Sequence, residues 1–387
     1  MRVFVPNGAA STAPAKLGRT FASSSTAVAV DVTGLDAWQP GDSLHVVAPS
    51  AELDLANVHE GFATPPAAGT TAIRGQHLDW NAHHAPIVDA AKGDVTWVTQ
   101  TRDVPTATSH YSRIVKAGVA QGFAVSDGQP ATLTTALVPA TDVSIELHWK
   151  GTAFGAESTH AGPGASPAPA PDIEIKAVPA AIVASDAFEH SYYTDVSSLV
   201  ALGPISGIAD DDESISYSDP YAGSGSAYSE VLTMTYAVSV PVPTPEGIGS
   251  VSAMMIAAVP TAQLAGGVVA PTISPVVDPK LDGQPLDHPR TGTGLVPTIS
   301  WREPATGTAT RYAVVVRTVV TSATGVDITP VATIYTTERS ITMPCGLLVA
   351  GSSYVLTITA IAASDPMPLA GTLPYASADY VTARFTP

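Results

Sequence analysis

Four potential metal ligands crowd into one short stretch, QHLDWNAHHAP, as His77, Asp79, His83 and His84. Imidazole nitrogens and a carboxylate form a donor set that zinc or copper accepts. On a strand His77 and Asp79 would share a face, because side chains alternate with period two. A loop bearing His83 and His84 could then turn back toward them. The spacing follows no established zinc signature, so the favoured reading puts these polar groups on a solvent face while Leu78 and Trp80 fill a core. His45, His59 and His110 lie in the same third of the chain and belong to the same minority reading.

A second cluster, Asp210-Asp211-Asp212-Glu213, offers the hard oxygen ligands that calcium prefers, with Asp210, Asp212 and Glu213 as candidates. It lacks the glycine and spacing of an EF-hand loop, and charge runs usually form solvated loops, which is the favoured reading. Calcium is the one cofactor the sequence offers; otherwise none is expected. Tyr217, Tyr221 and Tyr228 stand among Ser, Asp, Pro and Gly, a context that predicts a loop. Aromatic rings on polar loops suit recognition of polysaccharide or protein, and the equally weighted alternative is that they tuck against their own sheet. No Gly-x-Ser-x-Gly elbow occurs, and Gly162-Pro-Gly164 and Gly292-Thr-Gly294 precede no helix-forming window that would complete a phosphate cradle. The expectation is a noncatalytic protein.

Only 13% of the 387 residues are charged, about half the usual fraction. The 17 basic and 34 acidic residues give a net charge of −17, which opposes a sequence-independent grip on phosphate backbones or anionic lipid. No nucleic-acid partner is expected. Hydrophobic residues make up 45%, enough for sizeable cores. The single cysteine, Cys345, excludes an internal disulfide and a cysteine-rich zinc site. The most apolar passage, Val251 to Pro271, is broken by Pro260, Gln263, Gly266 and Gly267, so no membrane span is expected. No signal-peptide core is visible in residues 1–30.

The elements that would carry these residues must be short. Thirty-four prolines and 31 glycines leave few windows for a helix. Between them lie runs rich in Val, Thr, Ile and Tyr with strand alternation. In Asp142–Lys150, Val143, Ile145, Leu147 and Trp149 face one way. In Glu230–Val240, Leu232, Met234, Tyr236, Val238 and Val240 do the same, and the turn-rich Pro241–Gly249 predicts a long hairpin with Ser250–Val259. Ala161–Pro171, AGPGASPAPAP, reads as an extended linker. The resulting division is an N-terminal β-sandwich domain over 1–160 with an extended N-terminal segment, a linker over 161–171, a middle β domain over 172–270 and a final domain over 271–387. The fold class is all-β, with sandwich domains in tandem.

In the last third Trp301 ends a strand, Arg311–Val320 alternates through Tyr312, Val314 and Val316, and Leu348-Val-Ala-Gly351-Ser-Ser-Tyr354 follows before a final strand. In that order these pieces resemble a fibronectin type III domain, over about residues 271–387. The resemblance implies an immunoglobulin-like sandwich in which the Tyr354 ring joins the core and its hydroxyl returns to nearby backbone. It implies adhesion or spacing in place of chemistry.

A chain so poor in charge must cover its exterior with Thr, Ser, Ala and Pro, a skin suited to stacking against other subunits. The leading expectation is therefore a structural or adhesive protein, extracellular or on a cell surface. It would self-assemble, as homo-oligomer or polymer, into a filament or other appendage. The alternatives are a monomeric polysaccharide- or protein-binding module and a metal-dependent enzyme using histidines of the first domain. Polymerisation could use exposed sheet edges or an N-terminal arm reaching a neighbour.

Overall fold

The computed structural model describes residues 3–6, 20–23, 26–48, 51, 53–55, 66–80, 86–106, 109–139, 142–167, 170–179, 198–203, 209–221, 228–322, 325–363 and 373–387. The strands begin with β1 (Val3–Pro6), β2 (Ala27–Thr33), β3 (Ser43–Ala48), β4 (Leu53–Leu55), β5 (Ala72–Asp79), β6 (Trp97–Pro105), β7 (His110–Val119), β8 (Ala131–Ala136) and β9 (Asp142–Lys150), and the helix α1 (Gly151–Ser158) follows. Next come β10 (Ser166–Pro167), β11 (Asp172–Pro179), β12 (Ser198–Leu202), β13 (Asp210–Ser218), β14 (Tyr228–Thr244), β15 (Gly247–Pro260) and β16 (Val268–Val269). The last are β17 (Val277–Leu281), β18 (Gln284–Pro285), β19 (Arg290–Thr291), β20 (Thr298–Arg302), β21 (Arg311–Ser322), β22 (Gly325–Thr336), β23 (Ser340–Thr342), β24 (Ser353–Ala363), β25 (Tyr375–Val381) and β26 (Phe385–Thr386). The protein is an all-β, sandwich-type fold.

One long sheet organises the chain, in the order β1-β22-β21-β24-β25-β15-β14-β11-β12-β7-β6-β3-β4. Three smaller sheets, β5-β2-β8, β13-β9-β16 and β18-β17-β20-β23, pair separately from it. At one end Val28, Val30 and Val32 of β2 share a core with Leu44 and Val46 of β3 and with Trp38 and Trp80. A second core runs without a break from Val47 to Phe385 and draws on all three regions into which the sequence divides. The expected linker does not separate them. Ala161 and Gly162 are buried, the Ala161 carbonyl accepts from the Val381 amide at 2.7 Å, and Ser166–Pro167 pairs with β14. Gly162 is required there: its φ is +151°, and a Cβ would meet the Val381 carbonyl at 2.5 Å.

The alternation in β14 buries Leu232, Met234, Tyr236, Val238 and Val240, and the hairpin with β15 is longer than its sequence suggests. Pairing continues from Val231↔Pro260 to Thr244↔Gly247, so the turn shrinks to Pro245-Glu246 and Pro241–Thr244 is strand. On β15 Val251, Ala253, Met255 and Ala257 are buried, whereas Ser252 is exposed and Met254 and Ile256 only half-buried. β9 keeps Leu147 and Trp149 inside but leaves Val143 40% exposed, because the tight packing begins only toward α1. There Trp149 stacks on Phe154 at a centroid distance of 4.4 Å.

In the last third, Leu281, Ile299, Trp301, Ile341 and Met343 from the β17–β23 side meet Tyr312, Val314, Tyr354, Leu356 and Phe385. Trp301 makes an edge contact with Tyr312 at 5.2 Å. The buried Tyr354 hydroxyl accepts from the Val349 amide at 2.9 Å.

Candidate functional site

The histidine cluster is only partly described. His77 lies on β5 opposite Ala29 and is exposed, while Leu78 and Trp80 are buried. Asp79 is placed in β5 by its backbone alone, and His83 and His84 lie outside the described residues. No group of three or more potential ligands that could hold a metal is found among the described residues.

The acidic run corrects an expectation: it is strand, not loop. Each residue of β13 from Asp210 to Ser218 pairs with one of β9, from Lys150 to Asp142. Alternation then puts Asp210 and Asp212 on the exposed face and turns Glu213 inward. Asp210 accepts from the Thr152 amide at 3.1 Å and hydroxyl at 2.6 Å, satisfying the first turn of α1, and these bonds hold its carboxyl below the usual range. Asp212 meets His148 Nδ1 at 2.6 Å. Glu213 is buried and accepts from the Thr106 hydroxyl at 3.0 Å. The three calcium candidates thus serve three different partners.

The tyrosines require a second correction. Tyr217 and Tyr221, expected on a loop with their rings either exposed or tucked against their own sheet, are each 1% exposed, and Tyr217 is in strand β13. The Tyr217 hydroxyl donates to Glu230 at 2.8 Å, and burial, reinforced by that carboxylate, raises its phenol pKa. Tyr221 meets Trp97 edge-on at 5.1 Å. Polar neighbours mask both rings in the sequence: Tyr217 sits within β13 between the half-buried Ser216 and the buried Ser218, and Tyr221 follows Asp219 and Pro220 just past the strand. The Tyr228 side chain lies outside the described residues.

Two other features stand out. The first is a cleft of about 670 Å³ between the end of α1 with its following segment and the face carrying β17 and β25. His160, Pro163, Asp278, Lys280, Asp287 and Tyr380 line it. Arg302 bonds Asp278 at 2.7 Å, and the Thr306 hydroxyl bonds Glu157 of α1 at 2.8 Å across the two sides. Burial, then the charges of Asp287 and Asp278, push the Tyr380 phenol up to about 12, so the hydroxyl stays a donor at neutral pH. A phenol and proline rings beside carboxylates and an ammonium make a surface for hydroxylated or charged ligands. Sequence reasoning missed this cleft; its only local trace is the Pro- and Asp-bearing segment 275–289.

The second feature is a sheet edge. β1 adds to β22 with the antiparallel register Val3↔Tyr335, Phe4↔Ile334, Val5↔Thr333 and Pro6↔Ala332. The N-terminal segment thereby closes an edge built by the last third of the chain. No model of a known protein family matches the chain, and no curated protein matches it.

Proposed function

We propose that the protein is a noncatalytic structural and adhesive subunit of an extracellular or cell-surface assembly, joining its copies by strand addition. The pairing of β1 with β22 carries this reading. Main-chain hydrogen bonds give strand addition its affinity, and they are indifferent to whether donor and acceptor share a chain. The same four residues could occupy the β22 edge of a second copy. A charge content of 13% lowers the desolvation cost of such stacking. The packing of β17, β20 and β23 against β21 and β24, with the Tyr354 corner, supports a fibronectin type III-like reading of the last third and so a spacing or adhesive role.

Static light scattering and negative-stain microscopy of the full chain should show concentration-dependent, ordered oligomers, and deletion of residues 1–20 should leave monomers. Discrete monomers of the full chain at every concentration would sink the proposal.

The cleft at Tyr380 favours a second reading, a polysaccharide- or protein-binding module. Its test is glycan-array binding that is lost in Tyr380→Ala, with no such binding as the adverse result.

A further inference from the structure

The outer face of the long sheet holds a recess of about 240 Å³ at the junction of β15, β25, β24, β21 and β22. Its rim includes Ser252, its walls include Thr333, Thr359 and Ser377, and two opposite charges, Arg317 and Asp379, line it. Both charges come from the face turned away from the main core. On β24 the inward set is Leu356, Ile358 and Ala360, so Thr357 and Thr359 point outward.

The Asp379 carboxylate accepts from the Thr359 hydroxyl at 2.6 Å and from the Met254 amide at 3.1 Å. Arg317 Nη1 donates to the Thr357 hydroxyl. The charges therefore sit beside two threonines that are two residues apart on one strand face, roughly 6.7 Å by strand geometry. Burial opposes both ionised forms, drawing Arg317 down and Asp379 up; Asp379 only partly offsets this for Arg317, and the bonds from Thr359 and Met254, then the charge of Arg317, only partly offset it for Asp379. A guanidinium has five donors in a planar fork suited to a carboxylate. A compact ligand that carries its own opposite charges would complement both groups at once.

We propose that this recess binds a small zwitterion of the α-amino acid type, its carboxylate on Arg317 and its ammonium on Asp379. The hydroxyls of Thr333 and Ser377 supply further partners. This inference is independent of strand-mediated assembly and would stand if the protein were a monomer.

The test is titration calorimetry and thermal shift on the full chain. Glycine, L-alanine and L-serine are the probes, with acetate and methylammonium as single-charge controls at matched ionic strength. At least one probe is expected to bind at millimolar or lower concentration, with the controls about tenfold weaker or worse. Arg317→Met and Asp379→Asn should each abolish that binding. Should either fail to fold, Ser252→Trp decides, since it obstructs the rim and leaves both charges in place; it should lose binding with an unchanged circular dichroism spectrum. Absence of heat with all three probes would overturn the proposal. So would equal binding of acetate, or binding retained in folded Arg317→Met or Ser252→Trp.

Discussion

Two arginine–aspartate clusters lie at opposite ends of the long sheet and are built on opposite plans. At Arg102, on β6, Nε and Nη2 meet Asp42 at 2.8 and 2.7 Å, a third bond runs from Nη1 to Asp36, and Nη2 also reaches the Ala37 carbonyl. Gln100 completes the group, donating to Asp42 at 2.8 Å and accepting from the Asp36 amide. The hydrogen bond to Asp42 is the largest influence on Arg102 and, with the help of Asp36, raises its pKa. At Arg317 the bond is to a neutral threonine, and desolvation dominates both charges. The first cluster has its donors engaged and pins residues 36–42 to β6. The second leaves charge incompletely matched beside a recess. Satisfied pairs hold structure, and incompletely matched ones have capacity left for a ligand.

The largest expected effect tests the first half of that contrast. Arg102→Met strands Asp42, whose side chain has no exposure, and should cost about 3–5 kcal/mol in urea denaturation. A loss under about 1 kcal/mol would mean that the clamp is not structural. The next concerns pH. Asp379 has a folded-state pKa above its ordinary 3.8, so its stabilising contribution is complete below that value and declines as pH rises through the folded pKa. Asp379→Asn removes this loss. The stability of the variant relative to the parent should therefore climb as pH rises from about 3.8, and a flat or falling difference would contradict the desolvated environment. Thr359→Val, which removes a donor to the same carboxylate, should cost about 1–2 kcal/mol at neutral pH and less in acid. The smallest effect is at the wet ladder between β9 and β13. His148→Gln should change stability by less than about 0.5 kcal/mol, since Asp212 keeps 74% of its side chain in solvent.

The strands were legible because alternation is a local property. Val28, Val30 and Val32, or Leu232 through Val240, reveal their inward face without any partner. The β13 strand was not, because its charged first half resembles a solvated loop until β9 is laid beside it. Tyr217 and Tyr221 were obscured for the complementary reason: Ser, Asp and Pro neighbours resemble a turn, although Tyr217 pairs with Val143 in β13, and they say nothing of where a ring points. Of the charged recess nothing was legible, since Arg317 and Asp379 meet only through the registers of β21 on β24 and β24 on β25.

The sequence alone determined an all-β chain, sparse in charge and interrupted by proline and glycine, because side-chain alternation and turn chemistry act over a few residues. Tertiary structure decided the order of strands in the long sheet, the continuity of a core across the expected linker, the closure of β22 by β1, and the meeting of Arg317 with Asp379. Those outcomes depend on hydrogen-bond register between distant segments, and register is fixed only when whole faces pack.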